Sequence, residues 1–282
     1  MRGYSYFNLA RNFGRVPIHT EVVEKLDDTQ TSLASSLDDM WTRILDDFHT
    51  AASMLSYYKA PQTGRADLAA AQSMLAKSYL YLASAKANGV PEYKDMTFDV
   101  EEYYKNAADW AAKVVLNPEQ TTYSFSDNLE SIYDVENPTG PEHIFIMSMD
   151  RTGASEGQYS KISKMYIPYV AGGTIYLKNE DGSLSATHDG WGEYRTTKEF
   201  YDSFESGDKR HDELIVSEVY NKEGEVIADY KADGSGKLAY PFCRKFIDPS
   251  FVGDKTSTRP YLIRFSDIAL TYAEAAGPTT ES

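Results

Sequence analysis

The chain has 282 residues, room for one or two domains of about 100–200 residues each. Hydrophobic residues make up 41% of it and 18 glycines add to that, a composition close to the ~45–50% apolar share of globular chains that argues against wholesale disorder. Against 28 Lys+Arg stand 43 Asp+Glu, a net charge of −15, and so acidic a surface repels phosphate backbones and anionic lipid, which argues against nucleic-acid and unaided membrane binding.

No apolar run approaches the ~18 residues of a membrane helix. Asn8, Arg11 and Asn12 interrupt the stretch after Met1-Arg2-Gly3-Tyr4 that an export signal would need to keep apolar. The single cysteine, Cys243, excludes an internal disulfide and any metal site built on several thiolates. Set among bulky neighbours in Tyr240-Pro241-Phe242-Cys243-Arg244, it is expected to be a buried, inert thiol. Tyrosine is abundant, at 22 residues. Its flat apolar face and polar tip suit surfaces that bind sugar rings or proteins while staying wet, although many of these tyrosines must be core.

The first half reads as helices. From Leu37 to Leu55, Trp41, Ile44, Leu45, Phe48, Ala52 and Leu55 recur at three- and four-residue steps, an amphipathic helix. Ser36 and Asp39 before it have the spacing of a capping box. A second helix is expected from about Asp67 to Ala87, with Leu68, Ala71, Leu75, Tyr79 and Leu82 on one stripe and alanines that permit close helix packing. Asn88-Gly89 and Pro91 stop it. A third begins near Asp99, turns Tyr104, Ala107, Ala111 and Val114 inward, and ends at Asn117-Pro118. Paired alanine-rich helices point to tetratricopeptide-like architecture, but the connections are too long for a regular repeat of ~34 residues. Irregular helical pairs are expected.

After about Thr121 the pattern breaks. Glu142–Met147 between Gly140-Pro141 and Asp150 reads as a buried strand. Turns are expected at Asn179–Gly182 and at Asn221–Gly224, the latter joining Ile215–Tyr220 to Glu225–Tyr230 in a hairpin. Glu199–Glu205 suggests a short helix. Ser266–Ala276 suggests another, capped by Ser266, with Ile268, Tyr272 and Ala275 inward and Gly277-Pro278 at its end. The organisation expected is therefore a helical scaffold over residues 1–120, a loop-rich region with short strands over 121–258, and a returning strand and helix over 259–282 that pack on the scaffold. The fold class is mainly α.

The chemical motifs are mostly negative. His19, His49, His143, His188 and His211 are scattered, no His-Glu-x-x-His occurs, and neither Asp229–Gly234 nor the turn at Gly182 spaces its acids as a calcium loop does. Gly234-Ser235-Gly236-Lys237-Leu238-Ala239 matches a dinucleotide fingerprint by chance, because Tyr240-Pro241 follows it instead of a helix. Among 43 acids no glycosidase pair is specified. No cofactor, metal or catalytic residue is assigned. What remains is a loop region where rings sit among glycines: Tyr166, Tyr169 and Tyr176 around Gly172-Gly173, and Gly190-Trp191-Gly192-Glu193-Tyr194-Arg195. Trp191 between two glycines is either an exposed stacking platform or a loop anchor folded onto the domain. For Tyr166, Tyr169 and Tyr176 taken singly, core packing is the expectation.

Seven segments follow in order along the chain: Tyr6-Phe7-Asn8-Leu9 with Phe13-Gly14-Arg15-Val16-Pro17-Ile18, Gly64-Arg65-Ala66 leading to Leu75–Tyr81, Glu142-x-Ile144-Phe145, Phe200–Phe204, Gly207–Arg210, Ile263–Asp267 and Tyr272–Ala275. Together they resemble the SusD/RagB family of outer-membrane nutrient-binding lipoproteins. The resemblance implies a non-catalytic protein whose helices form a scaffold and whose loops hold a glycan, with some relatives taking peptides. It implies a lipid-anchored position on the surface of a Gram-negative bacterium, above a SusC-like TonB-dependent transporter. The family's signal peptide and lipidated cysteine are not in this sequence and its members are longer, so the chain is expected to be a fragment. Trp191 lies where relatives often place a binding aromatic. The candidate ligand residues are Trp191, Tyr194, Arg195, Tyr166, Tyr169 and Tyr176. The alternatives are a peptide-binding relative and a helical interaction scaffold without a sugar role.

Overall fold

The computed structural model describes residues 1–58, 64–170 and 172–277; Pro278, named above as the end of the last helix, lies outside them. In chain order the helices are α1 (Arg2–Phe13), α2 (Leu37–Met54), α3 (Leu68–Ala87), α4 (Val100–Val115), α5 (Leu129–Tyr133), α6 (Ile162–Tyr166), α7 (Lys198–Asp202), α8 (Lys209–Leu214) and α9 (Phe265–Ala276). The strands are β1 (His143–Ile146), β2 (Thr174–Lys178), β3 (Leu184–His188), β4 (Ile215–Val216), β5 (Glu218–Tyr220), β6 (Val226–Asp229), β7 (Phe242–Cys243) and β8 (Tyr261–Arg264). The architecture is mainly α-helical, and the chain divides into two compact units, residues 1–125 with 263–282, and residues 126–262.

In the first unit the helix starts follow from capping. Ser36 Oγ accepts the Asp39 N–H at 3.0 Å, Asp67 Oδ1 that of Ala70 at 3.0 Å and Asp99 Oδ1 that of Glu102 at 2.8 Å, each satisfying a donor that the first helical turn leaves without a partner. Met40, Trp41, Ile44, Leu45 and Phe48 form the buried face of α2. Burying side chains of this size stabilises the fold by about 1.5–3 kcal/mol each. The Trp41 ring stacks on Tyr81 at 5.5 Å and meets Phe7 edge-on at 5.8 Å. Ala69, Ala76, Ala83, Ala107 and Ala111 are sealed, and side chains this small let α3 and α4 lie close together. The capping expected of Ser266 is not found. The helix starts one residue earlier with Arg264 as its N-cap, and the Ser266 hydroxyl is buried inside the first turn without a hydrogen-bond partner.

The second unit is organised around a four-stranded sheet in the order β3-β2-β5-β6. β2 and β3 pair antiparallel from Thr174↔His188 to Lys178↔Leu184, joined by the turn at Asn179–Gly182. Ile175 and Leu177 point to one side, where Ile167, Val216, Val219, Ala228, Leu238, Phe242 and Ile247 complete a core. The expected hairpin of Ile215–Tyr220 with Glu225–Tyr230 is divided. Only Glu218–Tyr220 pairs with β6, while Ile215 and Val216 turn to Cys243 and Phe242 of β7. Cys243 is half-buried, not fully sealed, though burial still pushes its thiol above the ordinary range. Asp248 is fully buried and accepts from Arg151 Nη1 at 2.9 Å and from the Ser250 and Ser257 N–H groups at 2.9 and 2.6 Å.

Burial disfavours the charged form of three histidines. His143 Nδ1 accepts the Gly140 N–H at 3.0 Å, which leaves Nε2–H to donate to Ile132 O at 2.8 Å. Burial lowers the pKa of His143, as it does for His49 and His188. The unfolded chain therefore binds more protons below about pH 6.5, and stability present above that value is lost as the pH falls through it. Urea denaturation is expected to give a lower midpoint at pH 5.5 than at pH 7.5, and a smaller drop in His143→Gln. An equal drop in that variant would contradict a neutral His143.

Candidate functional site

Five of the six residues singled out in the sequence, all but Tyr176, lie on two segments of the second unit that are zipped together. β3 ends at His188, and the Asp189 carboxylate accepts the N–H groups of Val170 at 2.7 Å, Gly190 at 3.1 Å and Gly172. The chain then runs back along α6 and the residues after it. Gly190 N–H donates to Pro168 O at 3.2 Å, Trp191 N–H to Lys164 O at 2.6 Å, Gly192 N–H to Ile167 O at 3.0 Å and Tyr194 N–H to Met165 O at 2.8 Å.

This approach explains the glycines. A Cβ on Gly190 would lie 1.7 Å from Ile167 O, inside the carbonyl itself. Gly192 has φ +66° and would place its Cβ 2.2 Å from Tyr240 Oη. Only glycine lets the backbone come this close. The indole between them is therefore carried on a backbone segment that is tied down on both sides of it.

The rings divide by exposure. Trp191 is 48% exposed, Tyr194 55% and Tyr169 75%. Tyr169 was expected in the core and is instead an open side chain, because the chain turns outward between Pro168 and the Asp189 carboxylate. Tyr166 is half-buried and packs against Tyr194 at 5.2 Å and Phe246 at 4.8 Å. Burial accordingly raises its phenol pKa. Arg195 Nε donates to Gly192 O at 3.3 Å and its guanidinium sits 5.4 Å from the Tyr240 ring centre, so much of its binding capacity is used in bracing the loop. Tyr176 belongs to the sheet. It is half-buried within β2, paired with Ala186 on one side and Tyr220 on the other.

One contributor was invisible in the sequence. Lys164 Nζ lies over the Trp191 ring, 5.9 Å from its centre, and 3.0 Å from Asp254 Oδ1, a cation–π contact with the exposed indole. No motif spacing marks it, since the loop pairing alone brings residue 164 to residue 191. Ser163 Oγ and His188 Nε2, 2.9 Å apart, resemble a nucleophile and its base. Both are buried, with Phe251 edge-on to the imidazole at 5.2 Å, so the pair fastens α6 to the end of β3. Among the described residues no three His, Cys, Asp or Glu side chains group as metal ligands.

Three exposed aromatic side chains thus stand on two hydrogen-bonded segments, and such rings can stack on a flat apolar surface while polar groups hydrogen-bond around it. Comparison with known proteins gives this face a context. Residues 1–80 match a family model described as starch-binding, associating with the outer membrane, and residues 141–279 match the SusD family model. A SusD superfamily protein from Parabacteroides distasonis shares the fold at 24% identity and TM-score 0.71, over 100% of this chain and 55% of its own. A protein crystallised with xylogluco-oligosaccharide does so at 22% and 0.72, over 98% of this chain and 52% of its own. Surface glycan-binding protein A from Bacteroides fluxus does so at 19% and 0.69, over 98% and 53%. The chain thus spans about half the length of these solved relatives. No curated protein sequence matches it. Two family models in the expected order, over a helical scaffold followed by a loop-rich region, identify the chain as a member of the SusD/RagB family.

Proposed function

We propose that this chain is part of a cell-surface glycan-binding protein that captures oligosaccharide by stacking it on Trp191, Tyr194 and Tyr169, without cleaving it. Tyr166 and Arg195 brace this face, and Tyr176 stands in the neighbouring strand. In this reading the protein is lipid-anchored at the outer membrane and hands its ligand to a SusC-like TonB-dependent transporter. Family membership and the sugar-bound relative support glycan as the ligand class. The observation that carries the reading is the exposed indole on a backbone segment bonded to the loop before it. Backbone that is already ordered costs less to bind with than a free loop, so more of the contact energy appears as affinity, and a polymer with many repeats amplifies a modest single contact.

Affinity electrophoresis through gels containing different polysaccharides tests this. At least one is expected to retard the native chain, and Trp191→Ala is expected to weaken retention about tenfold, ~1.4 kcal/mol, at an unchanged melting temperature. Retention by none of them, with capture of oligopeptides instead, would favour a peptide-binding relative. Unchanged retention in Trp191→Ala would remove that residue from the site.

A further inference from the structure

We propose that a second sugar subsite lies in the cavity of the second unit between α5, the β2–β3 turn and the turn at Arg244–Phe246, and that it accepts neutral oligosaccharides while rejecting carboxylated ones. The proposal rests on the glycan-binding reading above and adds to it a location and a charge preference.

The cavity encloses about 670 Å³, within the ~300–1,000 Å³ range of small-molecule sites. One wall is a fixed polar fork. Arg244 Nη1 donates to Lys178 O at 2.7 Å and Nη2 to Asn179 Oδ1, while Nε faces Glu130 Oε1 at 3.3 Å. The guanidinium is only 14% exposed, so it is oriented before a ligand arrives. Planar groups fixed in this way match vicinal hydroxyls, which both donate and accept. Leu214, Ile247 and Pro249 also line the cavity, with Pro249 the exposed one of the three, and supply its apolar surface for the C–H face of a sugar ring.

Charge sets the preference. Glu130, Asp134, Glu180 and Asp181 line the cavity against the single guanidinium. Burial raises the Glu130 carboxyl pKa against the opposing pull of Arg244, with smaller contributions from Glu213, Glu180 and Asp181. Hydroxyl groups donate readily to such carboxylates, whereas a uronate would bring a like charge among them. The cavity and the ring face also share a support, because Arg244 lines the one and Phe246 of the same turn packs under Tyr166 of the other. One extended chain touching both gains by multivalency.

Isothermal titration of the whole chain with cellotetraose, maltotetraose, xylotetraose, mannotetraose and tetragalacturonate tests the proposal. The wild type is expected to bind at least one neutral tetramer and not tetragalacturonate. The double variant Asp134→Ala/Glu180→Ala, at exposed rim positions, is expected to bind that neutral tetramer about tenfold more weakly at an unchanged melting temperature. Glu180→Lys is expected to gain tetragalacturonate binding, a result that lost folding cannot mimic. Wild-type affinity in the double variant, with binding abolished by Trp191→Ala, would overturn the cavity and leave the ring face standing. Tetragalacturonate bound by the wild type as tightly as a neutral tetramer, or no gain in Glu180→Lys, would overturn the charge preference. Binding of none of the five by the wild type would overturn both the cavity and the glycan reading.

Discussion

Replacing Gly190 by alanine is expected to destabilise the second unit by about 3 kcal/mol, the upper end of what a single overpacked methyl costs, and to abolish glycan retention. The added Cβ would sit 1.7 Å from Ile167 O and 2.4 Å from its carbonyl carbon. Backbone cannot yield as a side-chain tip does, so the two loops must part. With them go the bonds from Trp191 N–H to Lys164 O and from Gly192 N–H to Ile167 O, and each buried group left without a partner adds to the cost. Gly173→Ala is the matched control, since its Cβ meets no atom within 4 Å. Calorimetry should show a clear fall in melting temperature for Gly190→Ala and little change for Gly173→Ala. Equal behaviour of the two would mean that the loops are not pinned together as described.

Asp248→Ala is expected to cost about 3–5 kcal/mol, the usual penalty for removing one partner of a buried ion pair. The carboxylate is fully buried and accepts one guanidinium N–H and two backbone N–H groups. Alanine removes all three acceptor contacts at once. Arg151 keeps Glu136 at 2.7 Å, which places the expected loss toward the lower end of that range. Asp248→Asn retains an acceptor oxygen and should fall between wild type and alanine. Urea midpoints at pH 7.5 measure the series, and a loss below about 1 kcal/mol for alanine would show that the N–H groups find water instead.

The long helices were legible because each contains several turns of apolar period and a side-chain cap. The Leu37–Leu55 reading and α2 differ by one residue at the end. Where the period is absent the sequence is silent. α5, α6 and α8 hold five or six residues each, too few for a stripe to repeat, and β4 and β7 have two apiece. Ser266 misled because a serine before an apolar run looks like a cap, whereas β8 leads directly into α9 and moves the cap to Arg264. In the candidate site, Gly190-Trp191-Gly192 was readable as an unusual ring setting. The reason for the glycines was not, since it depends on Ile167 O and Tyr240 Oη, more than twenty residues away on either side. Tyr169 was misjudged because its exposure depends on where Asp189 holds the neighbouring backbone. Lys164 and the Arg244 fork were invisible because single cations carry no pattern.

The most direct measurement is acrylamide quenching of tryptophan fluorescence in wild type and Trp191→Phe, with and without a glycan that retards the native chain. Trp41 is buried and Trp110 half-buried, and the emission of both cancels in the difference between the two proteins. Protection of the Trp191 component on adding the glycan, absent in Trp191→Phe, is the expected result. A glycan that retards the chain yet leaves that component as open to acrylamide as before would contradict ring stacking at this face.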